Sequence, residues 1–266
     1  MISPRRPGRP TGPRHLWRVA MVARRLLESA PPGPLLDAGA GAGTLALHLS
    51  AAGRSVSALD IAAAGLTSLA GARGLSGGRL QVVRGQIEAL PWPDGHFAAA
   101  AAGEVIEHVD DRAAVAELWR VLVPGGALVV TVPAGPGRFG ALDRAVGHWR
   151  RYDRARLRGV LQGAGFGVET LYGWGWPFGR IYDWVVQRPA LAAGPRGQRV
   201  LGGLGGLAPV SVVWRALFAI DDTVAAGDRG SGLLAVARKP VAGAPEGPRG
   251  RGAETPPLAL DGAGGP

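Results

Sequence analysis

The sequence predicts an α/β fold: a parallel sheet with helices on both faces. Short apolar runs alternate with helical patterns from residue 17 onward, as crossover connections between parallel strands require. The first of these runs ends on a glycine-rich turn, "LLDAGAGAGTLALHL" (35–49), at a strand-to-helix junction. With 266 residues, 47% of them hydrophobic, the chain can bury one sizeable core and carry extensions.

The elements follow in order. "WRVAMVARRLLES" (17–29) has helical periodicity, "PLLDAG" reads as a buried strand, and "TLALHLSAAG" as a helix ended by Gly53. "SVSALD" alternates and ends on Asp60, "AAGLTSLAGARG" is helical, and "LQVVRGQ" is a strand. "HFAAAAAGEVIEHV" (96–109) carries a poor strand signal, because alanine has low β propensity, and is a strand by context. "DRAAVAELWRVL" is a helix stopped by "PGG", and "ALVVTVPA" is the clearest strand. "RARLRGVLQGAG" is a helix with a glycine stop, "VETLYGW" a strand, and "GLLAVARK" (232–239) a last strand. Two helical stretches, "PFGRIYDWVVQR" and "VSVVWRALFAIDD", fill the interval 177–220 before it. Residues 1–13 and 241–266 hold too few large apolar groups to offset ordering entropy and read as disordered tails, the first of them basic.

Composition narrows the function. The absence of cysteine excludes disulfides, thiolate metal sites and a cysteine nucleophile. The N-terminus, "MISPRRPGRPTGPRH", is basic and proline-rich and does not read as a secretory signal. With no purely apolar run of about eighteen residues, no spanning helix is expected, and a cytoplasmic location is. The formal charge is +10 and Lys239 is the only lysine. Such a charge suits nucleic acid or an anionic membrane. Compositional drift is the preferred reading: there is no asparagine, and 44 glycines and 22 prolines accompany the arginines. Nor is any basic run interleaved with aromatics, as single-strand binding would want.

In a helix interior the glycines at 39, 41 and 43 would cost about 3 kcal/mol together. They must form the turn instead, where a positive φ is free for glycine and a ligand can approach the backbone. In a doubly wound sheet that turn lies at the carboxyl edge, where ligands bind. A dinucleotide fingerprint needs glycine at position 44, which is Thr44, and the G-K-[ST] of a phosphate loop is missing. The spacing is D-x-G-x-G-x-G, Asp37 to Gly43. Asp60, ending the second strand, can accept both hydroxyls of a ribose or cap the next helix. "RGQIEALPWPDGHF" follows the third strand, and "GEVIEHVDD" the fourth.

These four motifs, in this order, resemble the class I S-adenosylmethionine-dependent methyltransferases, in the broad small-molecule group that includes the ubiquinone-type enzymes. The resemblance covers about residues 14–176 and 232–239. It implies a Rossmann-like seven-stranded sheet of order 3-2-1-4-5-7-6, with strand 7 antiparallel, over a methyltransferase domain at 14–240. It implies that Asp37, Gly39, Ala40, Gly41 and Gly43 hold the methionine part of S-adenosylmethionine. Asp60 would take the ribose and Gln86 and Ile87 the adenine, and Ile61 and Glu104 would join the cofactor site. Many relatives carry Asp where Gln86 stands; its amide oxygen can still accept from an adenine amino group.

The sulfonium already activates the methyl group, so the protein must orient a nucleophile and help a hydroxyl lose its proton. "EVIEHV" spaces Glu104, Glu107 and His108 at i, i+3 and i+4, one face of a helical turn. Some relatives with E-x-x-E-H here use a divalent metal, so the resemblance permits Mg²⁺ on these three; the metal-free reading is preferred. "DRAVGHWRRYDRARL" (143–157) resembles a GHxRRY pattern of bacterial methyltransferases. His148 is the candidate base, and His108 a second catalytic candidate; Tyr152 is a donor or wall; Asp143 and Arg151 are substrate contacts, the arginine as an anion clamp. Trp17 resembles part of an N-terminal aromatic helix that covers the site, which makes it a candidate substrate contact; core on an amphipathic helix is the alternative. The interval 177–220 is expected to be a lid, with peripheral membrane contact as the alternative.

The expected function is methyl transfer from S-adenosylmethionine to a small molecule, O-methylation foremost, with glycan, lipid-linked or secondary-metabolite acceptors. The alternatives are a nucleic-acid methyltransferase, disfavoured by the missing [ND]PP[YFW] motif, and a non-catalytic S-adenosylmethionine-binding module.

Overall fold

The computed structural model describes residues 12–71, 78–194, 208–224 and 226–241. Seven strands form one sheet: β1 (Leu35–Ala38), β2 (Val56–Asp60), β3 (Leu80–Arg84), β4 (Phe97–Gly103), β5 (Leu122–Pro133), β6 (Gly167–Trp174) and β7 (Gly232–Arg238). Their order is β3-β2-β1-β4-β5-β7-β6. Strands β1 to β5 pair parallel, and β7 runs antiparallel between β5 and β6. Order and direction are those the resemblance implies.

Helices α1 (Pro13–Ser29), α2 (Thr44–Ala51) and α3 (Ala63–Gly71) cover one face. Helix α4 (Asp111–Val121) and helix α6 (Arg154–Gly163) cover the other, with the short α5 (Ala141–Val146) between them in sequence. The caps are legible locally. Asp110 accepts from the amides of Arg112 and Ala113 at 3.0 and 3.1 Å, and Asp153 from that of Arg156 at 2.7 Å, satisfying donors that a helix start leaves open.

The central strands are buried on both faces, so they read as apolar runs rather than alternating ones. The alanines of β4 suit that position: all of Phe97–Ala102 is buried, between α1 on one side and α4 on the other. Strand β5 starts earlier than the sequence suggests. "PGG" ends α4, yet Gly125 and Gly126 exchange backbone hydrogen bonds with Lys239, which draws the segment into the ladder. That lysine is buried; its ammonium donates to the carbonyls of Trp119 and Leu122 at 2.9 and 2.7 Å, so it is a structural cation.

The interval before β7 holds two helices. Helix α7 runs over 178–192, α-helical at Phe178–Tyr182, π-helical at Asp183–Gln187 and α-helical again at Arg188–Ala192. Helix α8 spans Ala208–Asp221. Trp17 of α1 stacks on Phe218 of α8 at 4.9 Å and meets Trp174 edge-on at 5.2 Å, while Tyr182 packs on Trp214 at 4.8 Å. The two helices are thereby bolted to α1, and Trp184, Val185, Val212 and Val213 face outward. No described helix is long and apolar enough to cross a membrane. The expected tails, 1–13 and 241–266, lie outside the described residues except for Gly12, Pro13 and Val241; Pro13 begins α1.

Candidate functional site

The glycine turn leaves the carboxyl end of β1. Gly39, Gly41 and Gly43 have φ of +79°, +56° and +78°, a region other L-residues enter only at a cost. A β-carbon on Gly39 would stand 2.3 Å from Val105 Cγ2, and one on Gly43 2.4 Å from Leu69 Cδ1. At Gly41 it would meet nothing within 4 Å. Two of the glycines let the turn pack; the third faces open space at the sheet edge.

Two carboxylates flank that space. Asp60 accepts from the amides of Gly41 at 2.7 Å and Ala62 at 2.8 Å, one per oxygen, and each oxygen keeps a further lone pair. Asp37 is buried and accepts from the Ala46 amide at 3.1 Å. Burial, and secondarily the charge of Asp60, push its carboxyl up to about 7. A cationic group placed beside these two would lower that value again.

The third part lies beyond β4 and β5. Glu104 is the one non-glycine at positive φ among the described residues, +59°. Its carboxylate faces the Arg18 guanidinium of α1 at 3.7 Å. A 3₁₀ turn (Ile106–His108) follows. On the loop after β5, Gly147 closes α5 with φ +84° and sets His148 beside this turn. The His108 and His148 rings lie edge to face at 4.7 Å. His108 Nδ1–H donates to the Gly147 carbonyl and His148 Nδ1–H to Asp143, both at 2.9 Å. Both Nε2 atoms then approach the fully buried Glu107 carboxylate, at 3.8 and 3.9 Å from Oε1.

Residues 36–130 match the family of methyltransferase domains. These residues therefore carry a methyltransferase domain. A probable S-adenosylmethionine-dependent methyltransferase of Mycolicibacterium smegmatis is 32% identical over 161 residues, 59% of this chain and 60% of that protein. A demethylmenaquinone methyltransferase of Deinococcus radiodurans is 34% identical over 140 residues, 48% of this chain and 54% of the relative. The chain thus spans under two thirds of the length of these relatives. A putative sarcosine dimethylglycine methyltransferase from Galdieria sulphuraria shares the fold, with a TM-score of 0.62 at 16% identity over 85% of this chain and 86% of that one.

The methyltransferase domain fits its cofactor in three respects. Open space at Gly41 admits a ligand to the backbone, Asp60 keeps acceptor capacity for a ribose, and buried Asp37 is a partner for an ammonium. Three expected contributors have other duties. The amides of Gly39 and Ala40 both go to the Leu59 carbonyl, at 2.7 and 2.9 Å, so they tie the turn to β2. Ile87 is buried in the core under α4, while Gln86 and Ile61 are exposed at the rim.

Four expectations for the acceptor side need correction. Tyr152 is fully buried; its hydroxyl donates to Asp111 at 2.8 Å and lies 3.2 Å from the Ile106 carbonyl. Burial and the Asp111 bond raise its pKa far above the usual phenol value, so it anchors the β4 and β5 loops rather than donating to a substrate. Trp17 is core, its indole N–H donating to Asp222 at 3.2 Å. Asp143 is not a substrate contact either. It is 3% exposed and receives His148, Arg151 at 2.8 Å and the Gly140 amide at 2.9 Å. Burial works against its charge, and these donors still hold its carboxyl below the ordinary range. Glu104, finally, does not join Glu107 and His108: its positive φ takes it off the helical turn, and His148 stands in its place. Arg151 is half-buried, bound to Asp143 and to the Ala134 carbonyl at 3.3 Å.

Nothing in the sequence pairs His148 with His108, forty residues apart. The signal that could have found the Asp143–His148 bond is Gly147, since a glycine ending so short a helix turns the chain back on it.

Proposed function

We propose that the chain transfers the methyl group of S-adenosylmethionine to a hydroxyl oxygen of a small molecule. The observation that carries this reading is the convergence of His108, His148 and Glu107 at the same sheet edge as the glycine turn. The relatives named above support a small-molecule acceptor. When bound, the cofactor supplies an electrophilic methyl group: the acceptor oxygen forms a bond to carbon, the carbon–sulfur bond breaks, and its electron pair stays on sulfur.

The chain's own residues do the rest. Asp60 grips the ribose and Asp37 the ammonium, which fixes the direction in which the methyl group points. Holding the acceptor in line with it removes most of the entropic barrier, about 7–11 kcal/mol in well-oriented reactions. The acceptor hydroxyl must also lose its proton. Asp143 and the Gly147 carbonyl each occupy an Nδ1–H, so both imidazoles turn Nε2 towards Glu107, and the hydroxyl proton is lost at that cluster. Arg151, beside Asp143, supports acceptors that carry an anionic group.

His148→Ala, assayed with labelled methyl donor against a panel of phenols, enols and alcohols, is expected to lower kcat about 10²- to 10⁴-fold while donor affinity stays at the parent value. Equal loss of donor affinity would contradict the assignment of His148 to the acceptor side. Acceptance of nitrogen or carbon nucleophiles alone would contradict O-methylation.

A further inference from the structure

The resemblance admits Mg²⁺ on Glu104, Glu107 and His108, and the geometry does not fit it. Glu104 is paired with Arg18, and the remaining set is one carboxylate and two imidazoles. Mg²⁺ demands an octahedron of oxygen ligands and gives up its water reluctantly. Imidazole suits zinc and its neighbours in the first transition row.

We propose that Glu107, His108 and His148 form a binding site for a divalent transition-metal ion of the zinc type. One ligand atom from each lies within 4.8 Å of the others. Three features beyond proximity support it. Both imidazoles are pre-oriented: each donates Nδ1–H to a fixed oxygen at 2.9 Å, which sets the tautomer with its lone pair on Nε2. Metal-binding histidines are held in this way by carboxylates and backbone carbonyls. Secondly, both lone pairs aim at one carboxylate oxygen, 3.8 and 3.9 Å away. Four-coordinate zinc with bonds of ~2.0–2.1 Å has ligands ~3.4 Å apart, so the two edges to Glu107 close by about half an ångström each, and the third starts within 4.8 Å. Thirdly, the burial is graded: Glu107 is 0% exposed, and the imidazoles, at 16% and 15%, form the solvent side. An ion held by three protein ligands there keeps an open position on the solvent side.

That open position gives the ion its role, which rests on the methyl-transfer reading above. An acceptor hydroxyl taking it would be acidified by the ion and would attack as the oxyanion, its proton leaving to solvent. Metal binding itself does not depend on that reading.

The test uses the untagged full chain. Zinc is titrated calorimetrically, retained zinc is counted after dialysis, and Co²⁺ substitution is followed in the visible spectrum. Donor affinity is measured in the same preparations as the check on folding. The expected result is one ion per chain and a ligand-field spectrum of four- or five-coordinate Co²⁺. His148→Ala should lose about 100-fold or more in zinc affinity. Asp143→Asn, which acts only through His148, should lose about 10- to 100-fold. Glu104→Gln should bind zinc as the parent does. Zinc affinity unchanged by His148→Ala, with donor binding intact, means an adventitious ion only and overturns the proposal. So does equal weakening by Glu104→Gln; full methyl transfer in excess chelator with no metal retained overturns the ion's role in the reaction. Zinc binding of the expected pattern without methyl transfer to any acceptor would leave the site standing and overturn the proposed function instead.

Discussion

Replacing Asp37 by asparagine should stabilise the cofactor-free protein and weaken its hold on S-adenosylmethionine. Burial pushes this carboxyl from 3.8 to about 7. The folded value lies above the unfolded one, so the contribution to stability is fully present below pH 4 and is lost as pH rises towards 7. The slope over that window is about 1.4 kcal/mol per pH unit. Three pH units give about 4 kcal/mol as the ceiling on the cost of the ionised form. Asparagine carries no charge and its amide oxygen can still accept from the Ala46 amide. Thermal melting of parent and variant from pH 4 to 8.5 reads the difference. The melting points should coincide near pH 4, part progressively up to pH 7, and run parallel above it with the variant higher. At ~2–4 °C per kcal/mol for a domain of this size, a gap of several degrees is expected. In calorimetry at pH 7.5 the variant should bind S-adenosylmethionine at least about tenfold more weakly, having lost the partner of the ammonium. A melting-point difference that does not change between pH 4 and 8.5 would refute the reasoning.

Two further substitutions separate packing from binding. Gly39→Ala and Gly41→Ala both place a β-carbon at positive φ, at a cost of about 1–2 kcal/mol. Only Gly39→Ala also drives into stiff, β-branched Val105, for a further ~1–3 kcal/mol. Melting should therefore show Gly39→Ala as the less stable, while Gly41→Ala stays folded and loses donor affinity. Tyr152→Phe removes a buried hydroxyl from Asp111 and should cost about 1–3 kcal/mol in denaturant unfolding. Its kcat should match the parent's; a large fall in kcat without loss of stability would restore a catalytic role to Tyr152.

The fold was legible because its signals are local. Strand and helix alternate, the turn glycines cannot sit in a helix, and Asp110 and Asp153 mark helix starts through their own side chains. The two carboxylates proposed to hold the cofactor were legible for the same reason, as Asp37 and Asp60 lie at the carboxyl ends of adjacent strands. The acceptor side was not. The spacing of Glu104, Glu107 and His108 suggests one helical face, and the left-handed backbone at Glu104 breaks it. Tyr152 and Trp17 look like cleft residues by type, yet Asp111 and Asp222, remote in sequence, hold them in the interior. Strand propensity fails in the same way at β4, where the alanines that follow Phe97 suit burial on both faces rather than strand preference. Tertiary neighbours decide each of these cases, and one sequence does not display them.

The central claim is that the turn after β1 and the carboxylate after β2 together hold S-adenosylmethionine. Calorimetric titration of the parent and Asp60→Ala with S-adenosylmethionine and with NAD tests it most directly. The parent should bind one S-adenosylmethionine per chain and no NAD. Asp60→Ala, stripped of two charge-assisted bonds to a ribose, should bind it about 100-fold more weakly, close to 3 kcal/mol. Equal affinity in parent and variant, or heat from NAD alone, would contradict the account.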